Sequence, residues 1–288
     1  MSNDWYLSVL VFSFIFGSCI ASFLNVVIWR VPRGESIVKP PSHCPKCDAP
    51  IRWYQNIPIL SWLALRGKCA NCKAPISPRY ILIELLGGLL FAAIFWRLHG
   101  TFVRHGIAAG VVTTVVGWIW VSLMIVGTFV DFDHKLLPDF VTIGGIVLGL
   151  VYNGIATGLG FCVYPTHSIT CISQYPIVGG LVGLVVGFGI LWIVRVFGSW
   201  VFQREAMGMG DVFLLGAVGA LCGPVAALYT LILSSILGSI VGVSILLFSK
   251  VKRGRFLEIP FGPYICLANL VWLFRGPELA AWYINVFR

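Results

Sequence analysis

The sequence predicts an all-α polytopic membrane protein with about eight transmembrane helices and a small cytoplasmic four-cysteine insert. Hydrophobic residues fill 58% of the 288 positions and charged residues only 11%, whereas a soluble domain averages about 25% charged residues. Long apolar runs recur along the chain, near the roughly 20 residues that a helix needs to cross a bilayer. The net charge of +9 is therefore expected in loops beside a membrane rather than on a surface that binds nucleic acid.

Eight apolar runs are candidate membrane spans. They are Trp5–Trp29, Tyr80–Trp96, Gly106–Val130, Phe140–Thr157, Ile177–Trp200, Val212–Leu221, Val225–Phe248 and Phe261–Phe274. The sixth run is short and either begins at depth in the membrane or merges with the seventh across Gly223-Pro224, which leaves seven spans as the alternative. The first run is too long for a signal peptide and is followed by basic residues, so it is expected to remain as a helix. No tandem repeat is evident.

Charged residues between the runs predict the topology. The polar segment from Arg30 to Arg79 holds nine Lys or Arg against two acids, which indicates the cytoplasmic side, with the N-terminus outside. Alternating from this segment puts sixteen of the twenty basic residues inside and four outside. The expected domains are a first transmembrane helix over 1–29, a cytoplasmic insert over 30–79 and a transmembrane helical core over 80–288.

The insert carries two C-x₂-C pairs. Cys44 with Cys47 and Cys69 with Cys72 have the spacing of a tetrahedral four-thiolate zinc site. A segment of about 50 residues has little apolar core of its own, and a metal is a common remedy at that size. Thiol redox chemistry is the alternative for C-x₂-C pairs. The reducing cytoplasm and the paired spacing favour a structural zinc ion.

Acidic residues beside apolar runs are the candidate catalytic groups, because ionisable groups at membrane depth are costly and usually functional. One cluster, Asp131 to Asp139, follows the third run, and Asp211 precedes the sixth, after Gly208 and Gly210. Both clusters fall on the cytoplasmic side of the predicted topology. Two carboxylates brought together can share a proton, so that one activates water while its partner polarises a carbonyl.

Several of these acids have simpler interpretations. Asp139 follows Pro138 and is expected to have a structural role, as a helix cap or an interface residue, and His134 is expected to be a solvated loop residue. Asp133 is assigned a structural or supporting role. From the residues alone, Asp131 and Asp133 are equally good partners for Asp211. The glycines before Asp211 are expected to let a helix or a substrate backbone come close.

Five segments, in order along the chain, resemble those of the type IV prepilin leader peptidases, which are GxGD-type membrane aspartic proteases. They are the first-span segment 17–33, the double C-x₂-C insert with the residues 75–85 that follow it, the D-x-D-H-x-x-L-P-D stretch 131–139, the GxGD segment 204–211, and the segment Ile259-Pro260-Phe261-Gly262-Pro263. The resemblance covers nearly the whole chain.

The resemblance implies that Asp131 and Asp211 are the catalytic pair, with Gly208, Gly210 and Asp133 in support. It implies cleavage of type IV prepilins or type II secretion pseudopilins after the glycine of a basic leader, on the cytoplasmic face of the bacterial inner membrane. Methylation of the new N-terminus with S-adenosylmethionine is also expected, with Glu84 and the insert as the places to look for it. Phe213 departs from the family pattern, which has Lys there, and so does Gly87, where Thr is common.

Three further expectations complete the sequence interpretation. Cys162 and Cys171 lie in a predicted external loop and are expected to form a disulfide. An ion-coupled transporter that uses the acids as ion ligands is the alternative function, although the acids gather at one membrane face and no inverted repeat is evident. A membrane thiol oxidoreductase built on the C-x₂-C pairs is the second alternative.

Overall fold

The computed structural model describes residues 3–161, 175–203, 205, 207–248 and 260–286. Within them the chain is helical, and the all-α prediction is confirmed. The α-helices are α1 (Asn3–Arg30), α2 (Leu60–Ala64), α3 (Pro78–His134), α4 (Asp139–Gly158), α5 (Pro176–Phe202), α6 (Met209–Cys222), α7 (Pro224–Phe248) and α8 (Gly262–Val286). Cys162 and Cys171 lie outside the described residues, so their disulfide stays a prediction.

Five helices in the described part of the chain are long and apolar enough to cross a membrane: α1, α3, α4, α5 and α7. The chain is a multi-pass membrane protein. Helix α3 is interrupted at Gly106, whose φ of 86° and ψ of 174° are not helical. This break separates the two spans predicted before and after it. The total of eight spans stays a prediction.

The chain divides into two compact units, Met1–Val126 and Gly127–Arg288. In the first unit, α1 lies against the beginning of α3 through small residues. A side chain added at Gly17 would come within 2.6 Å of Phe91, and one added at Gly87 or Gly88 would overlap Ala21 or Ser18. Close backbone approach of this kind is how membrane helices gain packing energy without a hydrophobic driving force.

The polar insert of the first unit is mostly irregular, and its two C-x₂-C segments are local repeats of each other. Cys44 N–H donates to the Ala49 carbonyl (3.0 Å), as Cys69 N–H does to Ala74 (2.8 Å). The residue after each second cysteine is left-handed, at φ 52° for Asp48 and 60° for its counterpart in the other pair. The sequence interpretation missed this short repeat, which is written as C-x-x-C-x-Ala-Pro-Ile in both copies.

Helix α6 is the centre of the second unit, where it contacts α4, α5, α7 and α8. Every residue from Val212 to Cys222 is buried except Phe213. Its fourteen residues rise only about 21 Å, which is shorter than the hydrocarbon core. The helix ends at Gly223, whose φ of 86° separates α6 from α7. The short sixth run is therefore a helix of its own, and it is enclosed by other helices.

Glycines and one asparagine fix α6 in place. Gly183 of α5 and Gly219 of α6 meet backbone to backbone, and a side chain at Gly149 of α4 would come within 2.7 Å of the α6 backbone. The buried Asn153 of α4 donates from Nδ2 to the Ala220 carbonyl at 2.7 Å. These contacts set the depth at which the first turn of α6, with Asp211, begins.

Candidate active site

Asp131 lies in the last turn of α3, with its side chain inside the second unit. Only 5% of the residue is exposed. Helix α3 ends three residues later, and Lys135 takes a left-handed φ of 53° as the chain turns toward Pro138 and α4. The backbone N–H of Gly262 donates to Asp131 Oδ2 at 3.0 Å. This bond stabilises negative charge on Asp131 without using a cation.

Asp211 lies in the first turn of α6, three residues after the N-cap Gly208. A carboxylate at this end of a helix is favoured by the helix dipole. Its carboxylate lies close enough to that of Asp131 for the two to repel each other electrostatically. Asp211 is partly exposed while Asp131 is buried. The structure thus brings together the two aspartates that the sequence predicted as a pair.

Leu137 packs against two glycines beside this pair. An added side chain at Gly210 would come within 2.8 Å of Leu137 Cβ, and one at Gly262 within 3.3 Å of its Cδ2. The side chain added at Gly262 would also lie 2.8 Å from Asp131 Oδ2. Gly210 was expected to leave room for another element. The loop after α3, through Leu137, occupies that room. A side chain added at Gly208 would instead lie 3.7 Å from Asp211 Oδ2, which is ordinary contact.

The remaining acids of the first cluster differ from Asp131 in their surroundings. Asp133 and Asp139 are exposed, and His134 is half-buried. Two positions along a helix correspond to about 200° of rotation, so Asp131 and Asp133 lie on different sides of α3. Burial, the Gly262 hydrogen bond and the proximity to Asp211 distinguish Asp131 from Asp133, which the residue types alone left equivalent.

Sequence reasoning missed two contributors to the site. Gly262 was part of a recognised segment but had no role assigned. Arg195 was counted only as a cytoplasmic charge, yet it donates from Nε to the Met207 carbonyl at 2.9 Å and pairs with Glu205 at 3.3 Å. It anchors the segment before Asp211 to α5. A lone arginine inside an apolar span was the available signal.

Phe213 occupies the position where the resemblance leads one to expect lysine. Its ring centroid lies 5.4 Å from that of Phe188 in α5. The side chain therefore contributes an apolar contact between α5 and α6 where the family pattern has a cation.

The four cysteines of the insert form a separate cluster, with all four Sγ atoms within 4.8 Å of one another. Zinc–sulfur bonds of about 2.3 Å in a tetrahedron place sulfurs about 3.8 Å apart. The Sγ atoms of Cys44 and Cys72 are 3.8 Å apart. The donor set and its geometry fit a tetrahedral metal ion with no open position.

The surroundings of the sulfurs shift the pKa values of two of the thiols in opposite directions. The N–H groups of Cys72 and Asn71 lower the pKa of Cys69 to about 6. The Ala74 N–H lowers the pKa of Cys72, but partial desolvation and the three neighbouring sulfurs outweigh it and raise that pKa to about 11. Asn71 Nδ2 also donates to Cys47 Sγ at 3.6 Å. Such N–H···S bonds are the usual outer support of thiolate metal sites.

Comparison with known proteins shows the family of the chain. Residues 15–98 match the bacterial peptidase A24 N-terminal domain, and residues 118–243 match the type IV leader peptidase family. A prepilin leader peptidase/N-methyltransferase of Myxococcus xanthus is 40% identical over 275 residues, covering 94% of this chain and 74% of the relative. The chain belongs to the type IV leader peptidase family.

Other members of the family align along almost their full length. Proteins of the same name from Aeromonas hydrophila and Neisseria gonorrhoeae are 35% and 34% identical. The alignments cover 95% and 93% of this chain, and 93% and 90% of the relatives. No solved structure matches the chain significantly. The resemblance drawn from the sequence motifs is thus confirmed at the level of the family.

Proposed function

We propose that the protein is a membrane aspartic endopeptidase that cuts the basic leader from type IV prepilins or type II secretion pseudopilins after a glycine. The observation that carries the proposal is the pairing of Asp131 with Asp211 inside one unit, with Asp131 held by the Gly262 N–H. The peptidase family match over residues 118–243 spans both aspartates.

In the proposed reaction, Asp131 is the ionised partner, because the Gly262 N–H stabilises its charge. It takes a proton from a water molecule, and the water oxygen attacks the carbonyl carbon of the scissile peptide bond. Asp211 donates its proton to the carbonyl oxygen. The C–N bond of the tetrahedral intermediate then breaks, and its electron pair and one proton go to the leaving nitrogen. The partial exposure of Asp211 provides the side from which a peptide reaches the pair.

We assign a second reaction, N-methylation of the new N-terminus, by analogy with the names of the relatives. S-adenosylmethionine supplies an electrophilic methyl group on a sulfonium sulfur in such chemistry. The four-cysteine cluster is proposed to hold structural zinc, since four thiolates leave no position for substrate. The positive charge of the segments between the helices supports an inner-membrane protein with its N-terminus outside and its catalytic face in the cytoplasm.

The alternative functions account for fewer of these features. An ion-coupled carrier does not need a backbone N–H directed at one of two facing carboxylates, and the family match does not support it. A thiol oxidoreductase would use two sulfurs, whereas the arrangement gathers four around one point.

The test is cleavage of a prepilin-type peptide by the purified protein, with products identified by mass spectrometry. Asp131→Asn and Asp211→Asn keep the side-chain shape and should each lose at least about 10³-fold in rate, because neither half of the pair works alone. Asp139→Asn is the matched control, since its side chain is exposed, and should stay near wild type. Full activity of Asp131→Asn together with an inactive Asp133→Asn would reassign the pair. Failure of the wild type to cut after the leader glycine would overturn the peptidase proposal.

A further inference from the structure

A second buried carboxylate lies in the first unit, in contact with the insert. Glu84 of α3 is only 9% exposed. Its Oε2 accepts a hydrogen bond of 2.7 Å from the Ile59 N–H of the insert, and the Ser22 hydroxyl of α1 donates to the same carboxylate. Both of these partners are neutral donors, so they solvate the carboxylate without neutralising its charge.

The segment that meets Glu84 is strained. Ile59 has φ 63° and ψ −53°, and Leu60 N–H bonds back to the Pro58 carbonyl at 2.6 Å. This is a γ-turn of the rare positive-φ form, here with a β-branched residue at its centre, where positive φ is least tolerated. Such conformations cost about 1–3 kcal/mol and persist where surrounding contacts enforce them, often at functional sites.

A second set of contacts enforces the turn from the insert side. The hydroxyl of Ser61 accepts a hydrogen bond from the Ile57 N–H at 2.9 Å and donates to the Tyr54 carbonyl at 3.0 Å. The loop is thus held on one side by Ser61 and on the other by Glu84. The Ile59 N–H is fixed in its direction toward the carboxylate before any ligand arrives.

Anchoring the loop does not require a charge. A glutamine oxygen accepts the same hydrogen bond from Ile59, and it avoids the cost of burying a carboxylate without a cation. The negative charge of Glu84 is therefore unexplained by the contacts that hold the loop. The donors to it, Ser22 and Ile59, are only half-buried, so the carboxylate lies close beneath the surface.

We propose that Glu84, with the strained turn at Ile59, forms a binding site for a positively charged group in the methyl-transfer reaction. This inference rests on the proposed methylation. Two reactants carry such a charge: the new peptide N-terminus as an ammonium, and the methyl donor as a sulfonium. In the transfer, the amine lone pair forms the N–CH₃ bond while the C–S bond breaks, and its electron pair remains on sulfur as a neutral thioether. One proton of the ammonium passes to water before the attack, and the methylated nitrogen then carries the positive charge that the sulfur loses.

Glu84→Gln tests the site, because it keeps the acceptor for Ile59 and removes only the charge. Cleavage and methylation are measured on the same peptide by mass spectrometry, with Glu35→Gln, an exposed acid of the insert, as the control. Glu84→Gln should cleave within twofold of wild type and methylate roughly 10- to 100-fold more slowly. Glu35→Gln should match wild type in both reactions.

Binding measurements separate the two cations. If the sulfonium lies at Glu84, the variant binds S-adenosylmethionine more weakly but binds S-adenosylhomocysteine, which has no sulfonium, as wild type does. If the ammonium lies there, the variant loses the preference for a cleaved peptide with a free N-terminus over its acetylated form. Methylation by Glu84→Gln at the wild-type rate overturns the site alone. A wild-type protein that cleaves but never methylates overturns the methylation proposal and this site with it.

Discussion

Gly262→Ala tests whether the backbone of α8 positions Asp131. Gly262 begins α8, and its φ is not in the left-handed region, so the position does not require glycine for a positive φ. The added Cβ, however, would lie 2.8 Å from Asp131 Oδ2 and 3.3 Å from Leu137 Cδ2. An ordinary contact begins at about 3.4 Å, so the carboxylate must retreat by roughly 0.6 Å.

The displacement is large for a reacting group. A misplacement of about 1 Å can lower a rate by about 10²-fold, so we expect Gly262→Ala to cut prepilin peptide about 10- to 100-fold more slowly. The loss should appear mainly in kcat, because the change affects the position of a reacting group and leaves the exposed side of Asp211 open. The thermal unfolding temperature in detergent should stay close to that of wild type, because the nearest atom that must move is the end of a side chain and not backbone.

Gly238→Ala is the matched control. An added Cβ there would lie 3.6 Å from the rings of Phe261 and Tyr264, which is ordinary contact in the same neighbourhood. This variant should cleave within twofold of wild type. If Gly262→Ala cuts at the wild-type rate, or if both alanine variants lose activity equally, the contact between Gly262 and Asp131 does not position the carboxylate and the reasoning fails.

Two further predictions concern the metal and the packing of α6. The purified protein should contain about one zinc per chain, and Cys44→Ser should lower this content. Because protons compete with the metal for thiolates, the affinity of the protein for zinc should fall as pH falls. The fall should be steepest below about pH 6, where Cys69 also protonates. Absence of metal from wild type purified without chelator would refute the zinc assignment. Gly219→Ala should destabilise the protein by about 1–3 kcal/mol, since backbone atoms of α5 cannot move aside as a side chain would. Gly144→Ala, with open space around it, should be neutral in the same thermal unfolding assay.

The helices were predictable because their signal is local. Apolar runs of sufficient length correspond closely to the observed elements, for example Ile177–Trp200 against α5 (Pro176–Phe202). The four-cysteine cluster was predictable for the same reason, since cysteine spacing within each pair fixes the geometry of the knuckle. The break at Gly106 also coincides with the boundary between two predicted spans.

The contacts that distinguish Asp131 from Asp133 were not predictable in this way. The Gly262 N–H that binds Asp131 comes from 131 positions along the chain, and no local pattern encodes such a pairing. The turn at Ile59 could not be predicted from the sequence for the opposite reason. Local preference argues against a positive φ for isoleucine, so only the tertiary contact with Glu84 reveals why the chain adopts it.

The same arrangement occurs twice among the described residues: a backbone N–H from a distant segment donates to a buried carboxylate. At Asp131 the carboxylate faces a second acid, Asp211, and such a pair favours a shared proton and proton transfer. At Glu84 the hydrogen-bond partners, Ile59 and Ser22, are neutral donors, and a buried carboxylate without a cation favours binding of one. The two sites therefore predict different consequences of removing charge while keeping shape. Asparagine at either aspartate should stop cleavage, and any methylation that depends on a freshly cut N-terminus stops with it. Glutamine at Glu84 should slow methylation alone, and supplying an already cleaved peptide should restore the wild-type rate of methylation to the aspartate variants but not to Glu84→Gln.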